Sequence, residues 1–131
     1  MIVCDSSVWI DWFNGIKNPQ TDRLYLLLER EDIVILDVIL LEVLQGFKKD
    51  SEYEIALDLL SPLTCYQVLD KEAAISSASH FRTLRKKGIT IRKTIDVMIA
   101  SWCIRNDVEH LHNDHDFDLI ATKLPLQVVT G

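Results

Sequence analysis

The segment Ile2-Val-Cys-Asp-Ser-Ser-Val-Trp-Ile-Asp-Trp-Phe13 at the start of the chain indicates a buried strand that leads directly into a helix. Ile2–Cys4 is a short apolar run, which is typical of a strand covered on both faces. Asp5 ends this run, and Ser6 or Ser7 can cap the helix that occupies the rest of the segment. A strand followed at once by a helix is the unit from which parallel α/β folds are built.

The remainder of the chain repeats this alternation of strand and helix. Apolar periodicity predicts helices over about 21–30, 38–45, 51–60, 71–87 and 95–104, with Asp37, Asp70 and Thr94 as caps. Short apolar runs predict further strands over about 32–36, 65–69, 109–112 and 126–129. The alternation favours an α/β fold with a mainly parallel central sheet covered by helices on both faces. The helix over 95–104 is apolar on most of its faces and should lie at the centre.

Length and composition indicate one globular domain over residues 1–131. The chain has 131 residues, of which 48% are hydrophobic and 26% charged, and it contains no repeat or linker. No apolar run approaches the roughly 18 residues that suggest a membrane helix, so we expect a soluble cytoplasmic protein. The three cysteines, Cys4, Cys65 and Cys103, stand in apolar surroundings and should be buried and reduced.

The net charge of −6 is unusual for a protein that binds nucleic acid, because phosphate contacts normally come from a basic face. The acidic residues can simply solvate the surface. They can also be concentrated in a pocket that holds divalent cations, which then carry the interaction with phosphate. Composition alone leaves both explanations open.

Four acidic residues stand at the ends of predicted strands or near the starts of predicted helices. Asp5 follows the first strand, Asp114 follows the strand over 109–112, and Asp96 lies in the first turn of the central helix. Glu42 lies just over one turn into its helix, among aliphatic neighbours. Ligands of open parallel sheets bind outside the carboxyl ends of the strands. We therefore expect these four carboxylates to share one crevice.

Each of these residues also has a structural explanation when it is considered alone. Asp96 can stabilise a helix N-terminus through the helix dipole, and Asp5 can be a helix cap. Glu42 is different, because a carboxylate buried unpaired among aliphatic side chains costs several kcal/mol. An Arg, a Lys or a metal ion could compensate it. Oxygen ligands without a thiolate suit a hard divalent ion, and without that ion repulsion should raise at least one carboxylate pKa.

Four segments of the chain together resemble the PIN-domain nucleases, and most closely the VapC-type toxins of type II toxin–antitoxin systems. The segments are Val3-Cys-Asp-Ser-Ser-Val-Trp-Ile10, Asp37-Val-Ile-Leu-Leu-Glu-Val-Leu-Gln-Gly46, Ile91-Arg-Lys-Thr-Ile-Asp-Val-Met-Ile-Ala100 and Leu111-His-Asn-Asp-His-Asp-Phe117. Each is a weak pattern alone, but all four occur in order over essentially the whole chain. Asn113 and His115 stand where relatives often have Asp and Arg.

The resemblance implies a PIN-like three-layer α/β/α domain and a metal-dependent endoribonuclease that hydrolyses RNA phosphodiesters. The acidic quartet of that family falls on Asp5, Glu42, Asp96 and Asp114. These ligands would hold Mg²⁺ or Mn²⁺. Ser7 and Asp116 are candidates to orient the ligands or a metal-bound water from a second layer. Ser7 is an equally good candidate for a helix cap.

RNA would need positive charge beside the acidic pocket. Arg92 and Lys93 lie just before Asp96 and within the family match, so both are candidates for RNA binding. Arg85 is a further candidate. It belongs to a basic run over 85–87 that can equally be a solvated helix end, whose charge suits the helix dipole.

The first helix also suggests a protein partner. Trp12 and Phe13 lie near its end, where exposure is expected, and large exposed aromatic side chains tend to mark interfaces. The resemblance adds that VapC-like toxins usually form homodimers and are held inactive by an antitoxin. We therefore expect Trp12 and Phe13 to contribute to antitoxin binding more than to folding.

Two other functions are compatible with parts of the sequence. The segment His110-Leu-His-Asn-Asp-His115 fits the HxHxDH pattern of zinc hydrolases of the metallo-β-lactamase type. Those enzymes need a longer chain and further ligands downstream, and no His or Cys follows His115. A non-catalytic, Rossmann-like binding module with a regulatory cation site is the second alternative. The completeness of the acidic quartet argues against it.

Overall fold

The computed structural model describes residues 1–129 of the chain. The strands in this part are β1 Ile2–Cys4, β2 Ile33–Leu36, β3 Cys65–Tyr66 and β4 Glu109–Leu111. They form one sheet in the order β3-β2-β1-β4, and all neighbouring strands are parallel. Helices flank the sheet, so the predicted PIN-like α/β/α fold with a parallel central sheet is confirmed.

The described residues form seven helices. They are α1 Ser6–Phe13, α2 Pro19–Glu29, α3 Asp37–Leu44, α4 Asp50–Leu60, α5 Lys71–Lys86, α6 Thr94–Asn106 and α7 His115–Ala121. Helix α2 begins earlier than predicted because the Asn18 side chain accepts the backbone N–H of Thr21 at 2.8 Å, and Pro19 suits the first turn. Within residues 1–129 no helix combines the length and the apolar character that crossing a membrane requires.

The hydrophobic core forms between the sheet and the helices. Strands β1 and β2 are buried along their whole length, which matches their continuous apolar sequences. Trp9 of α1 is fully buried, and α6 contributes seven buried residues, among them Ile99 and Trp102. The predicted central position of this helix is therefore confirmed.

The predicted strand over 126–129 is not formed. Within the described residues this segment meets the sheet through one isolated parallel bridge, between His110 and Val128. The N–H of His110 donates to the carbonyl of Gln127 at 2.8 Å, and the N–H of Val129 donates to the carbonyl of His110 at 2.9 Å. The apolar pattern reflects the burial of Leu126 and Val129, but pairing at a single residue does not make a strand.

The predicted helix caps are only partly correct. Asp70 caps α5 as predicted, since its side chain accepts from the N–H of Ala73. Asp37 lies inside α3 instead, and its Oδ1 accepts from the N–H groups of Val38 at 2.8 Å and Val68 at 3.1 Å. It therefore ties α3 to the segment after β3, a contact that local sequence could not indicate. Thr94 is likewise the first residue of α6 rather than its cap.

The three cysteines differ in their exposure, and all are free thiols. Cys4 in β1 and Cys103 in α6 are buried, and burial raises the pKa of both thiols, to about 12 for Cys103. Cys65 is exposed, so the prediction of its burial is wrong. The reason is that β3 is a strand of only two residues at the edge of the sheet.

Candidate active site

The carboxyl ends of β1 and β4 bring Asp5 and Asp114 to the same edge of the sheet. The two strands are parallel neighbours with Cys4 opposite Leu111, and the N–H of Asp5 donates to the Leu111 carbonyl at 2.8 Å. Asp114 follows three residues after Leu111, at the start of α7. Strand pairing thus brings together two of the four carboxylates that were predicted to share one crevice.

Asp5 caps α1, as one of the explanations considered for it predicted, and the alternative of a cap by Ser6 or Ser7 is not formed. Its Oδ2 accepts from the backbone N–H of Ser7 at 3.2 Å and from the Ser7 hydroxyl at 2.7 Å. Asp is as good a cap as Ser, so the sequence could not choose between them. Ser7 therefore orients the carboxylate, the other role considered for it. The remaining oxygen, Oδ1, is buried without a hydrogen-bond partner, and the nearest histidine nitrogen, Nε2 of His110, lies 3.7 Å away.

Asp96 and Glu42 face the same acidic surroundings from α6 and α3. Burial, together with the charges of Asp5 and Asp114, raises the pKa of Asp96 from 3.8 to about 7. Burial and the charge of Asp5 also raise the pKa of Glu42. Lys93 opposes both shifts. The predicted rise in carboxylate pKa is confirmed, although burial contributes more to it than the repulsion that was expected. The mutual influence of these charges indicates that the carboxylates lie close together.

Asp116 belongs to the cluster more directly than the sequence suggested. One carboxylate oxygen each from Asp96, Asp114 and Asp116 lies within 4.8 Å of the others. Asp114 caps α7 by accepting the backbone N–H of Asp116 at 3.0 Å, and this contact fixes both residues at the helix start. Asp116 is therefore placed to offer an oxygen itself, besides acting through Asp114.

The cluster fits a divalent metal ion. Three of its carboxylate oxygens are buried without a hydrogen-bond partner: Asp5 Oδ1, Glu42 Oε1 and Asp96 Oδ2. A buried carboxylate that lacks a partner costs several kcal/mol, and a cation removes this cost. All the donors are carboxylate oxygens, which are the ligands that hard ions such as Mg²⁺ and Mn²⁺ prefer.

The histidines of β4 and the following loop do not form the zinc site that the HxHxDH pattern suggests. His110 is fully buried against the Phe117 ring at 4.4 Å, and burial lowers its pKa to about 4. Nδ1 of His112 accepts the N–H of Asp114 at 3.2 Å, so the neutral ring carries its proton on Nε2. That nitrogen faces Oδ1 of Asp118 at 3.3 Å. Both ring nitrogens of His112 thus have partners in the protein, and among residues 1–129 no histidine joins a group whose atoms could hold a metal together.

The three predicted RNA-binding cations are exposed, at different positions relative to the cluster. Arg92 and Lys93 directly precede α6, and Lys93 lies close enough to lower the pKa of Glu42 and of Asp96. Arg85 stands in the last turn of α5, with its guanidinium 5.2 Å from the centre of the Phe81 ring. Lys93 is therefore the cation that the structure associates most directly with the acidic pocket.

The predicted partner-binding aromatics are half-buried. Phe13 packs against the rings of Trp9 at 6.1 Å, Trp12 at 5.2 Å and Phe47 at 5.4 Å. The exposed apolar neighbour on α1 is Ile10, which is 41% exposed and was not singled out from the sequence. Ile10, Phe13 and Phe47 line a cavity of about 500 Å³ between α1 and the start of α4.

The sheet and the acidic edge together define a parallel α/β domain whose carboxylates converge outside the ends of the strands. A family model described as the PIN domain matches residues 2–123. The chain belongs to the PIN domain family.

Within that family the chain is similar to VapC proteins. Ribonuclease VapC11 of Mycobacterium tuberculosis is 30% identical over 132 residues, which cover 99% of this chain and 98% of the relative. The solved structure of VapBC2 from Rickettsia felis, bound to a promoter DNA fragment, matches with a TM-score of 0.76, 22% identity and 98% coverage of both chains. A toxin–antitoxin complex from Klebsiella pneumoniae matches with a TM-score of 0.73, 20% identity and coverage of 99% and 97%.

Proposed function

We propose that this protein is a divalent-metal-dependent endoribonuclease, the toxin of a VapC-type toxin–antitoxin pair, which hydrolyses RNA phosphodiester bonds with Mg²⁺ or Mn²⁺. The observation that carries the proposal is the convergence of carboxylates with buried, unpartnered oxygens on Asp5, Glu42 and Asp96. The similarity to ribonuclease VapC11 supports the same activity. We also propose that the protein acts in the cytoplasm.

The acidic side chains divide between holding the metal and orienting one another. Asp5, Glu42, Asp96 and Asp114 would hold the ion, and Asp116 offers a further oxygen. A bound divalent ion supplies activation of a water nucleophile and neutralisation of charge on the phosphoryl oxygens. Ser7 occupies Oδ2 of Asp5 with two hydrogen bonds, so that Oδ1 is left as the ligand atom.

RNA would meet the pocket from the side of the basic residues. Lys93 is close enough to Glu42 and Asp96 to act on their ionisation, so it can also reach a phosphate that the metal site binds. Arg92 extends this exposed basic segment, and Arg85 lies farther along α5. These cations give one edge of an acidic protein a local positive charge, which RNA binding requires.

The proposed partner is an antitoxin of the kind found in VapBC complexes, and we also propose a homodimer. The similarity to chains in the Rickettsia felis and Klebsiella pneumoniae complexes supports the antitoxin. The cavity lined by Ile10, Phe13 and Phe47 is the surface that we assign to it, because the exposed Ile10 stands there with the half-buried rings of Phe13 and Phe47. Of the two aromatics predicted from the sequence, Phe13 belongs to this surface, and Trp12 lines a neighbouring cavity with Ile16 and Tyr25.

The first test is cleavage of RNA by the purified protein. Asp96→Asn keeps the size of the side chain and removes its charge, and we expect it to slow cleavage about a hundredfold or more, since each 1.4 kcal/mol lost from transition-state stabilisation costs a factor of about ten. EDTA should abolish cleavage, and excess Mn²⁺ should restore it. The exposed Asp58 of α4 offers the matched control, and Asp58→Asn should cleave like the wild type. Undiminished cleavage in EDTA, or by Asp96→Asn, would contradict the proposal.

A further inference from the structure

Asp11 joins two segments of the chain that lie far apart in sequence. Its Oδ2 accepts hydrogen bonds from the side-chain amides of Asn18 at 3.1 Å and of Asn113 at 3.2 Å. Asn18 is the cap of α2, and Asn113 belongs to the loop between β4 and α7. Because Asp11 belongs to α1, its side chain holds this loop against α1.

The same loop makes a second contact with α1 that ends at the candidate metal site. The backbone N–H of Asn113 donates to Oγ of Ser7 at 3.1 Å, and the Ser7 hydroxyl donates to Oδ2 of Asp5 at 2.7 Å. Because the serine oxygen accepts from Asn113, its own proton is directed to Asp5. Asn113 is therefore bound to α1 by its side chain at Asp11 and by its backbone at Ser7.

These contacts set the separation of two acidic residues that belong to different elements. Asp5 caps α1, and Asp114 is the residue after Asn113 and caps α7. We propose that Asp11 is a positioning residue, which clamps the loop of Asn113 to α1 and thereby fixes Asp114 relative to Asp5. The clamp consists of hydrogen bonds within the chain, and its effect on metal binding rests on the function proposed above. Residues that orient metal ligands typically change metal affinity or activity by about 10–100-fold when they are mutated.

The first pair of variants separates the carboxylate acceptor from the charge at position 11. D11A removes the oxygen to which both amides donate, and we expect it to weaken Mn²⁺ binding about tenfold, measured by calorimetry without RNA. D11N keeps one oxygen in the same place, and a single oxygen accepts both bonds in the structure. D11N should therefore bind Mn²⁺ within about threefold of the wild type, a difference below the effect expected for a positioning contact.

The second pair tests the contact from the other side. N113D places a carboxylate against Asp11, and repulsion should displace the loop and weaken Mn²⁺ binding by a factor similar to that of D11A. The double variant D11N/N113D again pairs an amide with a carboxylate and should recover most of the lost affinity. A purely structural weakening by either substitution would not be relieved by the other.

The control is D70A, which removes an aspartate cap from α5 and leaves the clamp intact. It should lower the melting temperature without changing Mn²⁺ affinity. A metal-independent measurement completes the test: the exchange rate of the Asn113 backbone amide, followed by NMR, should rise in D11A and N113D only. Wild-type affinity in D11A, equal losses in D70A, or no recovery in the double variant would overturn the proposal. If the wild type bound no divalent ion, the proposed function would fail, and the exchange rates would still decide whether Asp11 clamps the loop.

Discussion

Asp96 is the residue at which burial and charge act together most clearly. Burial raises its pKa from an ordinary value of 3.8 to about 7, with contributions from the charges of Asp5 and Asp114. The folded chain therefore binds the proton of Asp96 more tightly than the unfolded chain does. In the metal-free protein the stabilisation from this group is complete below pH 3.8 and is lost as the pH rises through about 7.

This linkage predicts how Asp96→Asn changes stability without metal. The amide cannot ionise, so the variant should gain stability relative to the wild type between pH 5 and pH 8. We expect the difference in melting temperature to widen by about 3 °C or more, which is the shift that roughly 1 kcal/mol produces in a domain of this size. Thermal unfolding in EDTA at both pH values measures it.

Comparing the wild type with Asp96→Asn cancels the contributions of the other titrating groups to the pH dependence of stability. Burial lowers the pKa of His110 to about 4, so His110 acts in the opposite direction, but it does so in both proteins. Asp58→Asn, at an exposed position on α4, serves as the control with the same chemical change. A constant difference between wild type and Asp96→Asn across this range would show that Asp96 ionises at an ordinary pKa.

At the scale of single elements, helix α1 contacts three different parts of the molecule. Trp9 packs in the core, Ser7 and Asp11 contact the loop that carries Asp114, and Ile10 is exposed beside the cavity assigned to the antitoxin. A short helix with apolar residues at nearly every position can do this only because its neighbours cover it from several sides. The sequence-based expectation divided the helix differently and assigned Trp12 and Phe13 to the partner.

The exposed side of α1 gives a prediction that separates binding from folding. Ile10→Asp should weaken the complex with the cognate antitoxin about tenfold or more, since loss of one central apolar contact costs more than 1 kcal/mol in many interfaces. It should leave the melting temperature and RNA cleavage nearly unchanged, because Ile10 is 41% exposed. Titration calorimetry and thermal unfolding are the measurements.

The matched control for this prediction is Ile75→Asp on α5, where Ile75 is 62% exposed and lies away from the cavity. Phe13→Ala should behave differently from Ile10→Asp, because its ring packs on three other aromatic rings and contributes to folding. Unimpaired antitoxin binding by Ile10→Asp would place the interface on another surface.

The distribution of charge over the whole molecule bears on the two explanations of the net charge that composition left open, namely a solvated acidic surface and an acidic pocket. The net charge is −6, and five of the 20 acidic residues belong to the candidate site: Asp5, Glu42, Asp96, Asp114 and Asp116. Much of the acidic excess is therefore gathered at one edge of the sheet. Such a concentration destabilises the metal-free fold by repulsion, and a bound cation reverses the effect.

Metal binding should consequently stabilise the whole domain. A divalent ion that binds only the folded state contributes about 2.7 kcal/mol at a hundredfold excess over its dissociation constant. We expect Mn²⁺ or Mg²⁺ at millimolar concentration to raise the melting temperature by several degrees, and equal ionic strength of KCl to have little effect. Asp96→Asn should reduce the rise strongly. An unchanged melting temperature of the wild type would mean that the carboxylates do not bind these ions with useful affinity.

Local sequence was enough to predict most of the helices and strands, the parallel sheet and the four carboxylates of the candidate site. Each of these features has a local cause. Strands Ile2–Cys4 and Ile33–Leu36 are continuously apolar because both faces are covered, and Asp5 and Asp114 follow strands directly. A parallel sheet then brings the residues after neighbouring strands to the same edge.

The contacts between side chains across that edge depend on tertiary packing and could not be predicted from local sequence. Asp11 and Asn113 are 102 residues apart, and their hydrogen bond depends on the loop after β4 lying against α1. The oxygen that Asp116 adds to the cluster and the exposure of Cys65 have the same origin in strand order and packing. Apolar periodicity indicates which residues are buried. It does not indicate which residues they contact, because those neighbours come from distant parts of the chain.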